Sequence, residues 1–220
     1  MISEDQRAKM IQHLDLVIEM NKMTNLTRID SKKEGMLLHI EDSLAGLQEI
    51  DDAPIGRMGD LGSGAGYPGI PLTLASGRQT TLIEARKKKA EALQQMILQL
   101  GLDNQVDVFC GRAELLARSQ SASFAVLTAR ALSKLSVLME LASPLLQKDG
   151  VLVCYKSHVD KEEYDNARRV QPLTGMNLVS DREVHLAGAD LERRIICFKK
   201  AAKPETKLPR KEGMAQKHPL

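Results

Sequence analysis

Gly59-Asp60-Leu61-Gly62-Ser63-Gly64-Ala65-Gly66-Tyr67-Pro68-Gly69 decides the fold of this 220-residue chain. Residues 57–61 read as a short strand running into the glycines, and 71–76 read as a helix leaving them. Glycine lets a backbone turn tightly and lets a ligand approach the amides with no Cβ in the way. A loop at the carboxyl end of a first strand is where open α/β sheets bind ligands. Beyond it, strand and helix alternate. Residues 80–84 read as a strand, 85–100 as a helix stopped by Gly101, 106–110 and 124–128 as strands. Residues 132–146 read as a helix, Lys148-Asp149-Gly150 as a turn into a strand at 151–155, and 161–170 as a helix. Residues 184–186 and 194–198 read as a hairpin closing across Gly188-Ala189-Asp190. This alternation implies a doubly wound, mostly parallel α/β sheet with a terminal antiparallel strand.

About fifty residues precede the first strand. Residues 3–23 carry a capping box at Ser3 and Gln6, with Ile11, Leu14 and Ile18 on one face. Ser31 and Glu34 make a second box, and Leu37, Ile40, Leu44 and Leu47 follow at helical spacing. The expected organisation is a helical extension over 1–54, a core domain over 55–200 and a basic tail over 201–220. The tail, with Pro204, Pro209 and Pro219, reads as weakly ordered.

Composition bounds the class. Apolar residues make up 43% of the chain, enough to fill one sizeable core. No apolar run approaches the roughly 18 to 20 residues that cross a bilayer. The first ten residues are polar and carry acids, unlike a signal peptide, so the chain reads as cytoplasmic. Cys110, Cys154 and Cys197 stand far apart, which fits reduced thiols and no metal site. Net charge is +2, unevenly placed. Seven basic and two acidic residues from Lys199 to Leu220 give that segment +5 and leave −3 elsewhere. Such an arm suits a polyanion such as RNA; a merely solvated tail is the plainer alternative.

Two cofactors compete for the loop. Gly64, Gly66 and Gly69 satisfy the dinucleotide spacing, but that match alone is weak. Asp60, just before the glycines, would repel a pyrophosphate and would suit the cationic amino group of S-adenosyl-L-methionine. Tyr67-Pro68 puts a ring and a residue without N–H where a dinucleotide loop offers donors. The reading favours S-adenosylmethionine, with Asp60, Gly62, Gly64, Gly66 and Tyr67 at the loop. Glu84, ending the second strand, can accept both ribose hydroxyls. Ala113 and Glu114, after the third strand, fall beside an adenine. Arg130, after the fourth, can hold a cofactor carboxylate, a substrate phosphate or the acceptor base. No Asn/Asp-Pro-Pro-aromatic stands there for an exocyclic amine, and no Pro-Cys for attack on a pyrimidine carbon. A ring nitrogen such as guanine N7 needs neither, and catalysis by positioning would suffice. For RNA contacts the candidates are Arg28, Arg86, Lys87, Lys88, Lys89, Arg210 and Lys211. Four successive cations opening a helix oppose its dipole, which hints at an external use.

These residues resemble the ribosomal small-subunit methyltransferase G family, also called glucose-inhibited division protein B. The likeness runs along nearly the whole chain. It includes Asn25-Leu26-Thr27-Arg28-Ile29, His39-Ile40-Glu41-Asp42-Ser43-Leu44, the loop from Asp60 through Leu72, Gly111-Arg112-Ala113-Glu114, Ala129-Arg130-Ala131 and the segment 208–220. The resemblance implies a class I methyltransferase fold and N7 methylation of a guanine in 16S ribosomal RNA, with that RNA or the small subunit as partner. It places cofactor contacts at Gly62, Tyr67, Ala113, Glu114 and Arg130. Departures are Leu132 where the family often has phenylalanine, Ser157 where it often has glycine, and Tyr67 at a commonly aliphatic position. His39, Asp42 and Ser43 read as bracing the amino-terminal helices against the loop, with a role in holding the substrate as the alternative. Methylation of another RNA, a protein or a small molecule is the alternative function, and a monomer is expected.

Overall fold

Why the chain folds as it does is clearest at its two ends. The structure, a computed structural model, describes residues 2–29, 31–186 and 192–220. Helix α1 (Glu4–Thr24) opens with the expected box: Gln6 N–H donates to Ser3 Oγ, and Ser3 N–H to Gln6 Oε1. Asn25 closes it in the left-handed region. Short helix α2 (Lys32–Gly35) begins at the second box and runs into a π-helical turn, Met36–Glu41, then α3 (Asp42–Leu44) and α4 (Leu47–Asp51). The sequence reads as a regular helix here; the structure widens it by the π turn and breaks it at Gly46. A Cβ at Gly46 would strike the Tyr155 hydroxyl, which donates to Ser43 O at 2.7 Å.

The alternation follows: β1 (Met58–Leu61), α5 (Gly69–Ser76), β2 (Thr80–Glu84), α6 (Lys87–Leu100), β3 (Val106–Cys110), α7 (Ala113–Ser119) and β4 (Phe124–Arg130). Then come α8 (Leu135–Ala142), β5 (Leu146–Lys156), α9 (Lys161–Thr174), β6 (Met176–His185), β7 (Glu192–Lys200) and α10 (Met214–Lys217). The seven strands lie in the order β3-β2-β1-β4-β5-β7-β6. Only β7 runs against its neighbours, antiparallel to both β5 and β6. The chain reverses its winding between β1 and β4, so their carboxyl ends flank the crevice where doubly wound sheets take ligands.

One core packs α7, α8 and α9 against β4, β5 and β7. Another joins Met10, Leu14 and Val17 of α1 to Ile70, Leu82 and Leu93. The amino-terminal helices therefore share their apolar face with the sheet layer. Among the described residues, no helix is long and apolar enough to cross a membrane.

Three expectations shift. The helix read over 132–146 is only Leu135–Ala142, and β5 starts at Leu146 through an irregular register. Strand β6 is far longer than 184–186. The 201–220 segment, expected to be weakly ordered, packs on the core: Ala215 is buried, and Arg210 grips Glu140 with both oxygens at 2.6 Å. Ion pairing with a buried carboxylate, a turn at Glu212-Gly213 and α10 replace a loose arm. The hairpin turn at Gly188-Ala189-Asp190 lies outside the described residues.

Candidate active site

The glycine loop is built from β1 upward. Gly62 and Ser63 N–H groups both donate to Ile83 O, at 2.8 and 3.2 Å, tying the loop to the end of β2. Gly62, Gly64 and Gly66 all have positive φ, at +71°, +59° and +91°. A Cβ at Gly62 would meet Leu132, and one at Gly66 would meet Ile70 and His13. A Cβ at Gly64 would find only Gly62 O, at 3.8 Å, so this backbone faces open space. Gly64 N–H donates to Glu84 Oε2 at 3.0 Å, and Arg86 N–H to Oε1 at 2.7 Å, which fixes the Glu84 carboxylate at the rim.

A cleft of about 780 Å³ opens above these groups at the carboxyl ends of β1, β2 and β3. Gly62, Gly64, Glu84, Arg86, Lys89, Ala113 and Glu114 line it. Asp60 does not. Its side chain is fully buried beneath the loop, with Oδ1 accepting from Thr128 Oγ1 at 2.7 Å. Its Oδ2 lies against Gly69, whose backbone favours the charged form without making a well-shaped hydrogen bond to it. Desolvation dominates and pushes the carboxyl up to about 6. A carboxylate here closes the start of α5 to a pyrophosphate, which would sit at that point in a dinucleotide enzyme. The fit to S-adenosylmethionine therefore rests on the glycine backbone and on Glu84 and Glu114. The direct grip on an amino group expected of Asp60 is absent from this geometry.

Tyr67 is likewise buried under the loop. Its ring is stacked on His39, with centroids 4.3 Å apart and 7° between planes, and tilted against His13 at 4.5 Å. His13 sits beside Ala65 O, with Nε2 at 2.9 Å, and so joins α1 to the loop. The Arg130 guanidinium lies over the other side of this group, 5.5 Å from the Tyr67 centroid.

Arg130 ends β4 and faces a second, smaller cleft of about 370 Å³. Its Nη1 donates to Leu38 O at 3.1 Å and Asp42 Oδ2 at 2.9 Å. Its Nη2 lies 3.3 Å from His39 Nδ1. Arginine can only donate, so His39 Nδ1 accepts and the ring is the Nε2–H tautomer. Nε2 then donates to Thr27 Oγ1 at 3.1 Å. Burial, with Arg130 next, pulls this imidazole down to about 3, so it stays neutral. Asp42, 2% exposed, also takes Arg193 Nε at 2.7 Å. Arg193, Lys156 and His158 line the same cleft. The two clefts share Ala131, a non-glycine residue at φ +53°. Sequence reasoning did not single out Arg193; its only signal is a pair of arginines just before the apolar run Ile195 to Phe198. Leu132, noted as a departure, packs by Gly62 in the larger cleft.

The RNA candidates are spread around these openings. Arg28, Arg86, Lys87, Lys88 and Lys211 are exposed. Lys89 is partly engaged, donating to Leu26 O at 3.1 Å. Arg210 is held by Glu140 and does not join them. Among the described residues, no three His, Cys, Asp or Glu side chains gather as a metal site.

A glycine-cradled cleft at the switch of a β3-β2-β1-β4-β5-β7-β6 sheet, closed to pyrophosphate and joined to a second cleft lined by Arg130, Arg193 and Lys156, defines a class I S-adenosylmethionine-dependent methyltransferase. Solved structures share the fold. A MtNAS mutant in complex with S-adenosylmethionine superposes with a TM-score of 0.58 at 15% identity, covering 89% of this chain and 73% of that one. Geranyl diphosphate methyltransferase in complex with GPP and sinefungin gives 0.56 at 11% identity, covering 72% and 76%. The family profile for rRNA small subunit methyltransferase G matches residues 6–194. Ribosomal RNA small subunit methyltransferase G of Lactobacillus helveticus is 33% identical over 224 residues, covering 100% of this chain and 93% of the relative. That of Bacillus licheniformis is 32% identical over 222 residues, covering 100% and 92%. The chain belongs to the rRNA small subunit methyltransferase G family.

Proposed function

We propose that this protein transfers the methyl group of S-adenosylmethionine to N7 of a guanine in 16S ribosomal RNA, as a monomer acting in the cytoplasm. The observation that carries this reading is the meeting of the two clefts at Ala131, with Arg130 held at the mouth of the smaller one. The cofactor supplies an electrophilic methyl group when bound. Glu84 and Glu114 offer carboxylate oxygens to ribose and adenine. Three of Arg130's five donors are occupied by Leu38 O, Asp42 and His39. The Nε–H and one Nη2–H remain to hold the oxygen or nitrogen edge of a purine. N7 carries a lone pair and loses no proton before attack. A neutral His39 committed to Arg130, and an Asp42 committed to two arginines, are consistent with positioning rather than proton removal.

The test is transfer of labelled methyl from S-adenosylmethionine to 16S RNA and to small subunits, both from cells lacking the activity. Borohydride and aniline then cleave at any N7-methylguanine. One new cut in 16S RNA is expected; labelling without a cut would place the methyl on another atom. Gly62→Arg is expected to lose transfer and S-adenosylhomocysteine binding together. Its Cβ would strike Leu132, its φ is +71°, and its side chain would enter the cleft. Full activity in a folded Gly62→Arg protein would remove the cofactor assignment.

A further inference from the structure

The 208–220 segment does more than cover the core. Its helix α10 packs on α8, Gly213 meets Glu114 at the start of α7 beside the larger cleft, and Leu220 ends against Arg169 of α9. Arg210 is its first anchor, paired through Nε and Nη2 with both oxygens of buried Glu140. Ala215 is its second, buried in the main core, against which Leu220 also packs. Arg169 adds a third by donating to Leu220 O at 2.6 Å. Between the anchors, Gly213 N–H donates to Glu114 Oε1 at 2.7 Å, a contact spanning 99 residues of sequence. Gly213 sits at φ +77°, where glycine is favoured. Glu212 and Gln216, on either side of it, line the cleft with Glu114, and Gln216 Oε1 lies 3.4 Å from Arg112 Nη1.

We infer that Glu212, Gly213 and Gln216 complete the adenosine pocket of the cofactor cleft, Gly213 by positioning Glu114 and the other two by contact with the nucleoside. This rests on the cofactor reading above. A backbone donor on one Glu114 oxygen sets the carboxylate's rotation and leaves Oε2 for an exocyclic amine. A glutamine amide carries a donor and an acceptor side by side, the complement of the N1 and N6 edge of adenine. Both Glu212 and Gln216 are exposed, so the core does not depend on them. Their charge and amide functions therefore differ from the phosphate-binding use expected of a basic arm.

Titration calorimetry with S-adenosylhomocysteine on the full chain and on Glu212→Ala/Gln216→Ala, with hydrogen exchange of the full chain with and without the ligand, tests the inference. The double variant is expected to melt at the same temperature without ligand and to bind at least fivefold more weakly. Amides of 212–217 are expected to exchange more slowly in the complex. Unchanged affinity in the double variant together with unchanged exchange at 212–217 would overturn the pocket role while leaving the cofactor reading intact. Failure of the full chain to bind S-adenosylhomocysteine would overturn the cofactor reading and the pocket role with it.

Discussion

Asp42 holds two guanidiniums on one buried carboxylate, with Arg130 on Oδ2 and Arg193 on Oδ1. Breaking a buried pair on one side costs about 3–5 kcal/mol, because the remaining charge loses its partner. Asp42→Asn is therefore expected to lower the melting temperature clearly. It should also cut methyl transfer tenfold or more while S-adenosylhomocysteine affinity stays within threefold, since Asp42 lines the smaller cleft and not the larger one. An equal loss in cofactor affinity would instead assign Arg130 to the cofactor. The histidines give a pH signature. Burial pulls His13 to about 4 and His39 to about 3, from 6.5. Both are neutral in the native protein, so the unfolded chain takes up protons first, and their contribution is present above pH 6.5 and lost as pH falls toward 4. Asp60, raised to about 6 by burial, works the other way, holding a proton in the native state between about 6 and 4. Two protons oppose one, so these three groups together should lower stability as pH falls from about 6 toward 4. His13→Gln should bring that slope near zero, as followed by thermal melts from pH 6.5 to 4; an unchanged slope would show that His13 is protonated when folded.

Helix α6 starts with no side-chain cap and with Arg86, Lys87, Lys88 and Lys89 at its positive end. A cation in the first turn is unfavourable by about 0.3–1 kcal/mol. The Lys87–Glu91 pair is exposed and long, at 3.8 Å, and offsets little of this. Lys87→Gln/Lys88→Gln is thus expected to stabilise the fold slightly while weakening RNA binding and flattening its salt dependence. Filter binding across a salt series, with melts of the same protein, checks both signs; stabilisation without loss of RNA affinity would leave the cluster as a solvated face. Elements differed in how plainly the sequence showed them. Strands β2 and β3 were readable to the residue because turn signals bound short apolar runs, and the end of α6 because Gly101 stops it, though the helix starts at Lys87 and not at residue 85. Strand β6 was not, since it is a half-solvated edge held by side chains from elsewhere. Its Asp181 and Glu183 meet Arg194 across the pair, and its Arg182 reaches Glu49. The break after Ala142 was hidden because Leu145 and Leu146 continue the helical spacing.

On the scale of the molecule, the sequence located the lining of the larger cleft better than its surroundings. Gly62, Gly64, Glu84, Ala113 and Glu114 come together at one opening because strand ends are local features. Asp60 and Tyr67 went beneath the loop, and Arg193, Glu212 and Gln216 arrived from distant chain segments, which no local pattern announces. The basic arm is also redistributed. Lys199 pairs with Asp149, Lys200 is buried and Arg210 is taken by Glu140. Lys203, Lys207, Lys211 and Lys217 remain exposed. Replacing these four by glutamine is expected to lower RNA affinity and its salt slope, with melting temperature and S-adenosylhomocysteine affinity unchanged. RNA binding equal to the parent's at low salt would take the segment out of the RNA contact.

The reversal of β7 changes which end of a strand reaches the ligand edge of the sheet. A parallel strand brings only its finish to the ligand edge; β7 brings its start, pairing Arg194 with Lys156 at the end of β5. Arg193 thus reaches the smaller cleft from the side of the sheet opposite β2 and β3, whose ends line the larger one. Under the proposed function, changes at that hairpin edge would alter the opening that takes the acceptor and leave the cleft at β2 and β3 untouched, so the two choices would lie on separately mutable halves of one sheet.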